Sequence, residues 1–288
     1  MNRQRGNPRR WGWTTVLMMF DSRRYYDSGE MTAHITASSL ARTDRLEFCL
    51  SRDLAGKNIL DLGCGPGTQL RYLAEKNIVV GADAGFAMLQ QARRSGLAPC
   101  QTDFEQPWLP FRDESFDIVA CTDVIEHVRA PHLLLREIHR ILAPEGVAVI
   151  SVPNQYNLGQ RLRILFGCNI LAPWDHKDFK AWDYFHLHFW TWRDFREFMA
   201  QGGFRIVEAH HQEVPIESLR LMRRLTDRAY LRDWHRRHRR EFLLRAVVFA
   251  ASVLLRVTGT GRFAPRCLPV WFPALFTGSH LVTAVKQT

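Results

Sequence analysis

Short apolar runs broken by glycine or a carboxylate recur between residues 58 and 152, and the stretches between them place apolar residues at helical spacing. Residues Asn58 to Asp61, Ile78 to Asp83, Ala98 to Thr102, Asp117 to Cys121 and Val147 to Val152 read as strands. Thr68 to Lys76, Phe86 to Arg94 and Leu133 to Leu142 read as helices, and Ala143-Pro144-Glu145-Gly146 as a turn. Asn157 to Phe189 shows no period and is rich in aromatics and histidine. Order then returns: Thr191 caps a helix running through Met199, Gly202-Gly203 ends it, Phe204 to His210 forms a sixth strand and Ser279 to Lys286 a last one. Upstream, Ser38 to Arg52 has a helical pattern. Downstream, Arg220 to Arg245 is helix-like and packed with Arg and Trp, and Phe242 to Val257 is apolar except for Arg245, Ser252 and Arg256. Alternating strands and helices of this length predict an α/β, Rossmann-like sheet.

The candidate chemistry begins where the first strand ends, in Asn58-Ile59-Leu60-Asp61-Leu62-Gly63-Cys64-Gly65-Pro66-Gly67-Thr68. Gly63, Gly65 and Gly67 clear side chains from a turn between strand and helix, so that a ligand can approach the backbone. A second apolar strand ends in Asp83, twenty residues after Gly63, where a Rossmann-like sheet grips a ribose diol. A dinucleotide turn needs a glycine at the position of Thr68, so a pyrophosphate ligand is disfavoured. Asp61 favours a ligand with a positive group, such as the amino-acid part of S-adenosylmethionine.

The run Asp-Leu-Gly-Cys-Gly-Pro-Gly resembles the first motif of class I S-adenosylmethionine-dependent methyltransferases. Asp83-Ala84-Gly85-Phe86-Ala87-Met88-Leu89-Gln90 resembles the matching segment of the ubiquinone-biosynthesis O-methyltransferases. The resemblance implies a seven-stranded sheet of order 3-2-1-4-5-7-6 with helices on both faces and a helical insertion before the last strand. It also implies cofactor contacts from Asp61, Gly63, Cys64, Gly65, Gly67, Asp83, Ala84, Asp103, Phe104 and Thr122. Asp103 would accept from the adenine amino group and Phe104 would pack on the ring.

Asp123, Glu126 and His127 form an acidic-x-x-acidic-His pattern that holds a divalent ion in some relatives and merely caps and packs a helix in others. The packing reading is adopted, and no metal is assigned. An oxygen nucleophile needs a proton acceptor; His127, beyond strand 4, and His188, in the aromatic stretch, are the candidates.

Charge divides the chain. Residues 1–45 carry eight basic and four acidic groups, 46–212 seventeen and twenty, and 213–288 fourteen and five, within a formal net charge of +10. Basic flanks around a slightly acidic centre suit an anionic surface, phospholipid or nucleic acid. Phe242 to Val257 is too short and too charged to span a bilayer, and suits an amphipathic helix in the headgroup region. Six scattered cysteines with no C-x-x-C pair indicate reduced thiols and a cytoplasmic setting. The apolar run Trp11 to Phe20 lacks a signal-peptide cleavage site, whereas the absence of acidic residues before Asp21 leaves an Arg-rich presequence open.

The expected organisation is a basic segment and lid at 1–53, a cofactor-binding core at 54–212, a basic amphipathic insertion at 213–275 and a final core strand at 276–288. The expected activity is O-methylation of a small apolar or lipid-linked acceptor, with peripheral contact at the inner face of a membrane. RNA methylation and cofactor binding without turnover are the alternatives; no RNA-binding module is recognisable.

Overall fold

Seven strands make one sheet: β1 (Asn58–Leu62), β2 (Ile78–Asp83), β3 (Ala98–Gln101), β4 (Phe116–Thr122), β5 (Leu142–Pro153), β6 (Phe204–His210) and β7 (Ser279–Lys286). The computed structural model describes residues 46–165, 186–210, 232 and 279–287. Strand order is β3-β2-β1-β4-β5-β7-β6. The strands from β3 to β5 pair in parallel, and β7 runs antiparallel to both β5 and β6. This is the expected order. The chain leaves β1 in one direction to build β2 and β3, then crosses back to β4, so a crevice opens beyond the carboxyl ends of β1 and β4.

Four helices, α1 (Phe86–Arg94), α2 (Pro131–Ile141), α3 (Leu158–Leu165) and α4 (Trp192–Gln201), are described. The period-two alternation of β4 explains why the sheet is covered on both faces. Val119 and Cys121 join a core with Leu134 and Ile138 of α2 and Phe195 of α4. Ile118 and Ala120 face the other way, into a core with Leu89 and Ala92 of α1 and with Leu46 and Leu50. A strand with no polar face is stable only between two layers, where each buried aliphatic side chain contributes roughly 1.5–3 kcal/mol.

Three local expectations are corrected. Thr68 to Lys76 contains only a short 3-10 turn, Arg71–Leu73. Leu73, Ala74 and Lys76 each donate to the carbonyl three residues back. Leu70 and Leu73 are both fully buried, and a helix with three residues per turn stacks two side chains at that spacing on one line. The turn at Ala143–Gly146 falls inside β5: Leu142 pairs with Phe116 and pairing resumes with Val147 opposite Ile118, so these residues bulge out of a continuing strand. The stretch after Asn157 opens with a helix, α3, because Asn157 accepts the amide of Gln160 at 3.1 Å, as an N-cap does. Of the helical pattern at Ser38 to Arg52, the described part is a 3-10 turn at Leu46–Phe48. Residues 1–45 of the lid, the 213–275 insertion apart from residue 232, and Trp174, His176, Trp182, Tyr184 and Phe185 of the aromatic stretch lie outside the described residues.

The approach to β4 is held by one side chain of α2. Arg140 donates to the carbonyls of Phe111 at 2.9 Å and Leu109 at 3.2 Å, to Asp113 at 2.6 Å and twice to Glu137, at 2.7 and 2.8 Å. Glu137 in turn accepts the Leu109 amide at 2.8 Å. Arg140 holds the Glu137 carboxyl below the usual carboxylate range. Residues 109–113 are thereby fixed to α2 before the chain enters the sheet.

Candidate active site at the carboxyl edge of the sheet

The turn after β1 requires its glycines. Gly63 and Gly67 have φ of 71° and 73°, in the left-handed region. A Cβ on Gly63 would lie 2.2 Å from Val124 Cγ2, and one on Gly67 would lie 2.9 Å from Ala92 Cα in α1. Gly63 and Cys64 donate their amides to the Ala82 carbonyl at 2.8 and 3.1 Å, which sets the turn against the end of β2. Asp83 completes the link: one carboxylate oxygen accepts the Gly65 amide at 2.9 Å and the other the Gly85 amide at 2.8 Å. A carboxylate offers about four acceptor positions, more than these two bonds use. Ala84 is buried beside it.

Asp61 lies in β1, 2% exposed. Burial, reinforced by the nearby Asp83 charge, pushes its carboxyl up to about 7. Its Oδ2 is buried without a hydrogen-bond partner, and so is the Thr68 hydroxyl across the turn. A buried carboxylate oxygen without a donor is costly in a finished structure, and a ligand ammonium group removes that cost. The donor set therefore fits the amino-acid end of S-adenosylmethionine. Cys64 is buried, and burial drives its thiol well up, so it packs the turn rather than reacts.

Thr122 ends β4 and donates to Gln69 Oε1 at 3.3 Å, joining the β4 tip to the segment that follows the glycines. Asp123 then takes a left-handed conformation, φ 54°, and is tied to β5: its amide donates to the Ser151 carbonyl at 3.2 Å, and its carboxylate accepts the Ser151 hydroxyl at 2.9 Å. Glu126 and His127 lie in the 3-10 turn Ile125–His127, with Glu126 fully buried. The Glu126 carbonyl accepts the amides of Leu187 at 2.8 Å and His188 at 3.3 Å. His127 and His186 approach Glu126 Oε1 with their Nε2 atoms at 3.8 and 3.9 Å, and the two rings meet edge to face with centroids 4.7 Å apart. His188 Nε2 lies 2.9 Å from the Val128 carbonyl. A carbonyl only accepts, so this nitrogen carries a proton, and in the neutral ring the lone pair lies on Nδ1.

Asp61, the glycine turn, Asp83 and Thr122 thus gather at one edge of the sheet, and His127 and His188 meet around Glu126 to Val128. Asp103 lies in a turn after β3, where its Oδ1 accepts the Glu105 amide at 3.0 Å, and Phe104 packs partly buried against the core. Gln69 escaped the sequence reading, which took His186 only as one histidine of the aromatic stretch. Gln69 stands in a stretch read as plain helix, and His186 is joined to Glu126 only by folding.

The chain belongs to the methyltransferase domain family, whose model matches residues 33–209, and it has the sheet of class I S-adenosylmethionine-dependent methyltransferases. Similar curated proteins include the ubiquinone biosynthesis O-methyltransferase of Pseudomonas aeruginosa, 36% identical over 111 residues, covering 35% of this chain and 47% of that protein. The enzyme of the same name from Ruegeria pomeroyi is 32% identical over 157 residues, covering 53% and 62%. The chain therefore spans about half to three-fifths of these relatives' length. Among solved structures, phosphoethanolamine N-methyltransferase 2 of Haemonchus contortus in complex with S-adenosyl-L-methionine has a TM-score of 0.56 at 17% identity, over 94% of this chain and 61% of that one. The [4+2]-cyclase SpnF has a TM-score of 0.55 at 16% identity, over 93% and 96%. Likeness at this level concerns the fold alone, since one fold hosts unlike reactions.

Proposed function

We propose that this protein transfers the methyl group of S-adenosylmethionine to an oxygen of a small apolar or lipid-linked acceptor at a membrane surface. The observation that carries the first half is the unpartnered Asp61 Oδ2, buried beside a turn whose first glycine leaves no room for a Cβ. When bound, the cofactor supplies a methyl group already activated on a sulfonium. The chain's own task is then positioning, and fixing two reactants can lower a barrier by several kcal/mol. Asp61 receives the ammonium group, Gly63, Cys64, Gly65 and Gly67 the backbone approach, Asp83 the ribose hydroxyls and Ala84 the ring flank. Asp103 accepts from the adenine amine, Phe104 covers the purine, and Thr122 with Gln69 borders the methionine chain.

His188 is the proton acceptor in this reading. Its Nε2 is committed to the Val128 carbonyl, which fixes the ring and leaves Nδ1 to take a hydroxyl proton. His127, the other candidate, is drawn toward Glu126 and His186.

The acceptor class is supported by the printed names of the curated relatives, by the aromatic sequence between Trp174 and Phe189 and by the basic, amphipathic sequence of 213–275. Among the described residues no helix is long and apolar enough to cross a membrane, and the basic, amphipathic sequence of 213–275 suits peripheral contact with a lipid surface. Transfer of a tritiated methyl group into a cell extract, partitioned into lipid, nucleic-acid and protein fractions, tests the proposal. Label in the lipid-soluble fraction is expected; label confined to RNA or protein overturns the acceptor assignment. Absence of cofactor binding by calorimetry overturns the whole reading.

A further inference from the structure

A cavity of about 350 Å³ lies just past the carboxyl end of β5, where α3 and α4 begin, lined by Asn154, Tyr156, Arg161, Thr191, Trp192 and Arg193. We infer that this cavity seats the methyl acceptor and selects one that carries an oxyanion, a carboxylate or a phosphate, beside a flat apolar group. The inference rests on the proposed reaction only in taking the cavity's ligand to be the acceptor.

Charge is the first argument. Two of the six lining side chains are guanidinium groups and none is a carboxylate. Arg161 is fixed in place, because its Nε donates to the Tyr156 carbonyl at 2.6 Å. That bond uses one of five N–H donors and leaves both terminal nitrogens. Arg193, the second residue of α4, is exposed and forms no ion pair among the described residues. Asp194, the acidic residue of the same turn, spends its carboxylate on the cap, accepting the Thr191 amide at 3.3 Å and its hydroxyl at 2.6 Å. Two planar guanidinium forks match the paired oxygens of a carboxylate or phosphate better than any neutral group.

The rings give the second argument. Trp192 and Tyr156 are half-buried in the cavity wall. The Trp192 ring is held from behind by His280 and Phe195, with centroids 5.4 and 6.4 Å away. Aromatic walls of this kind pack a flat apolar group. The volume lies at the lower end of the range for small-molecule sites, enough for one ring and its substituents.

The cavity also has a built floor. Asn154 is buried; its Oδ1 accepts the Tyr156 amide at 3.1 Å and its carbonyl accepts the Asn157 side-chain amide at 3.0 Å. Tyr156 and Arg161 are thereby set by the end of β5, whose Ser151 pairs with Thr122 at the tip of β4. Gln155 lies 3.3 Å from His186 Nδ1, and Thr191 follows shortly after His188. An acceptor held here is placed beside the segment that carries the proposed proton acceptor.

The test measures binding without a methyl donor, so its failure is distinguishable from failure of methyl transfer. Benzoate, phenyl phosphate, inorganic phosphate and benzyl alcohol are titrated into the full-length protein by calorimetry. At least one of the two aromatic anions is expected to bind, the tighter naming the anion as carboxylate or phosphate, and benzyl alcohol at least about 10-fold more weakly. Arg161→Gln and Arg193→Gln should each weaken the anion at least about 10-fold, as loss of a charge-assisted hydrogen bond does. Arg205→Gln, exposed on β6, should leave it unchanged. Arg161 also holds a backbone carbonyl, so Arg193→Gln decides if Arg161→Gln fails to fold. The site is overturned if neither aromatic anion binds, if benzyl alcohol binds as tightly, or if Arg193→Gln has no effect. Inorganic phosphate binding as tightly as phenyl phosphate overturns the role of the rings. An aromatic anion that binds without inhibiting methyl transfer overturns the acceptor role.

Discussion

Asp61 and Asp83 stand on neighbouring parallel strands, and the Asp83 charge helps burial to hold the Asp61 carboxyl near neutrality, at about 7. Two carboxylates in one water-poor crevice are an unstable arrangement until a cation arrives. The register of β1 and β2 sets the two side by side, which suits the ammonium group proposed at Asp61.

This has a pH signature. Asp61 has an ordinary value of 3.8 and a folded value of about 7, so the folded state binds its proton more tightly than the unfolded state. Its contribution to stability is full below pH 3.8, declines by up to about 1.4 kcal/mol per pH unit between 3.8 and 7, and then levels off. Asp61→Asn is expected to remove this slope, stabilise the cofactor-free protein at pH 8 and abolish cofactor binding. Denaturation midpoints measured from pH 4 to 8 check it; parallel profiles for the two proteins would refute it.

Gly63→Ala is expected to destabilise the protein and eliminate measurable cofactor binding. The left-handed backbone alone costs ~1–2 kcal/mol, and the new Cβ would collide with Val124 Cγ2 at 2.2 Å. Adding Val124→Ala removes the collision but not the backbone strain. The double variant should therefore fold better than Gly63→Ala and still fall short of the unmodified protein, as read by urea unfolding.

Arg140→Met leaves the Glu137 carboxylate and the Leu109 and Phe111 carbonyls without their shared donor. A loss of about 2–3 kcal/mol is expected in chemical denaturation. Because Arg140 lowers the Glu137 carboxyl from its ordinary 4.5, that part of the stability is present above pH 4.5 and disappears as pH falls through the lowered folded value. The variant should lack this acid-side decline.

His188→Asn is expected to keep cofactor affinity and lower turnover at least about 100-fold, the usual contribution of a proton acceptor. Calorimetry paired with single-turnover kinetics separates the two effects, and undiminished turnover removes His188 from the mechanism.

Thr191 caps α4 reciprocally: its hydroxyl accepts the Asp194 amide at 3.2 Å, and the Asp194 carboxylate accepts the Thr191 amide at 3.3 Å. Thr191→Ala should reduce the thermal midpoint in line with a loss of about 1 kcal/mol, without changing cofactor affinity.

Much of this protein was determined by sequence alone. Strands without a polar face, such as β4 and the end of β5, must lie between two layers, and that need, with the glycine turn after Asp61, was enough to indicate the sheet and its crevice. The cap at Thr191 was legible because a cap acts within its own first turn; the reciprocal bond from Asp194 came with the structure. Folding decided what depends on distant pairs. The helical spacing of Leu70 and Leu73 did not distinguish an α-helix from the tighter turn that buries both. The acidic-x-x-acidic-His pattern gave no sign that Asp123 would turn to Ser151 while His186, 59 residues beyond His127, took a place beside Glu126. Local periodicity records which face of a segment is buried. Which side chains then meet is set by strand register and by backbone bonds between remote segments, such as those from Leu187 and His188 to Glu126.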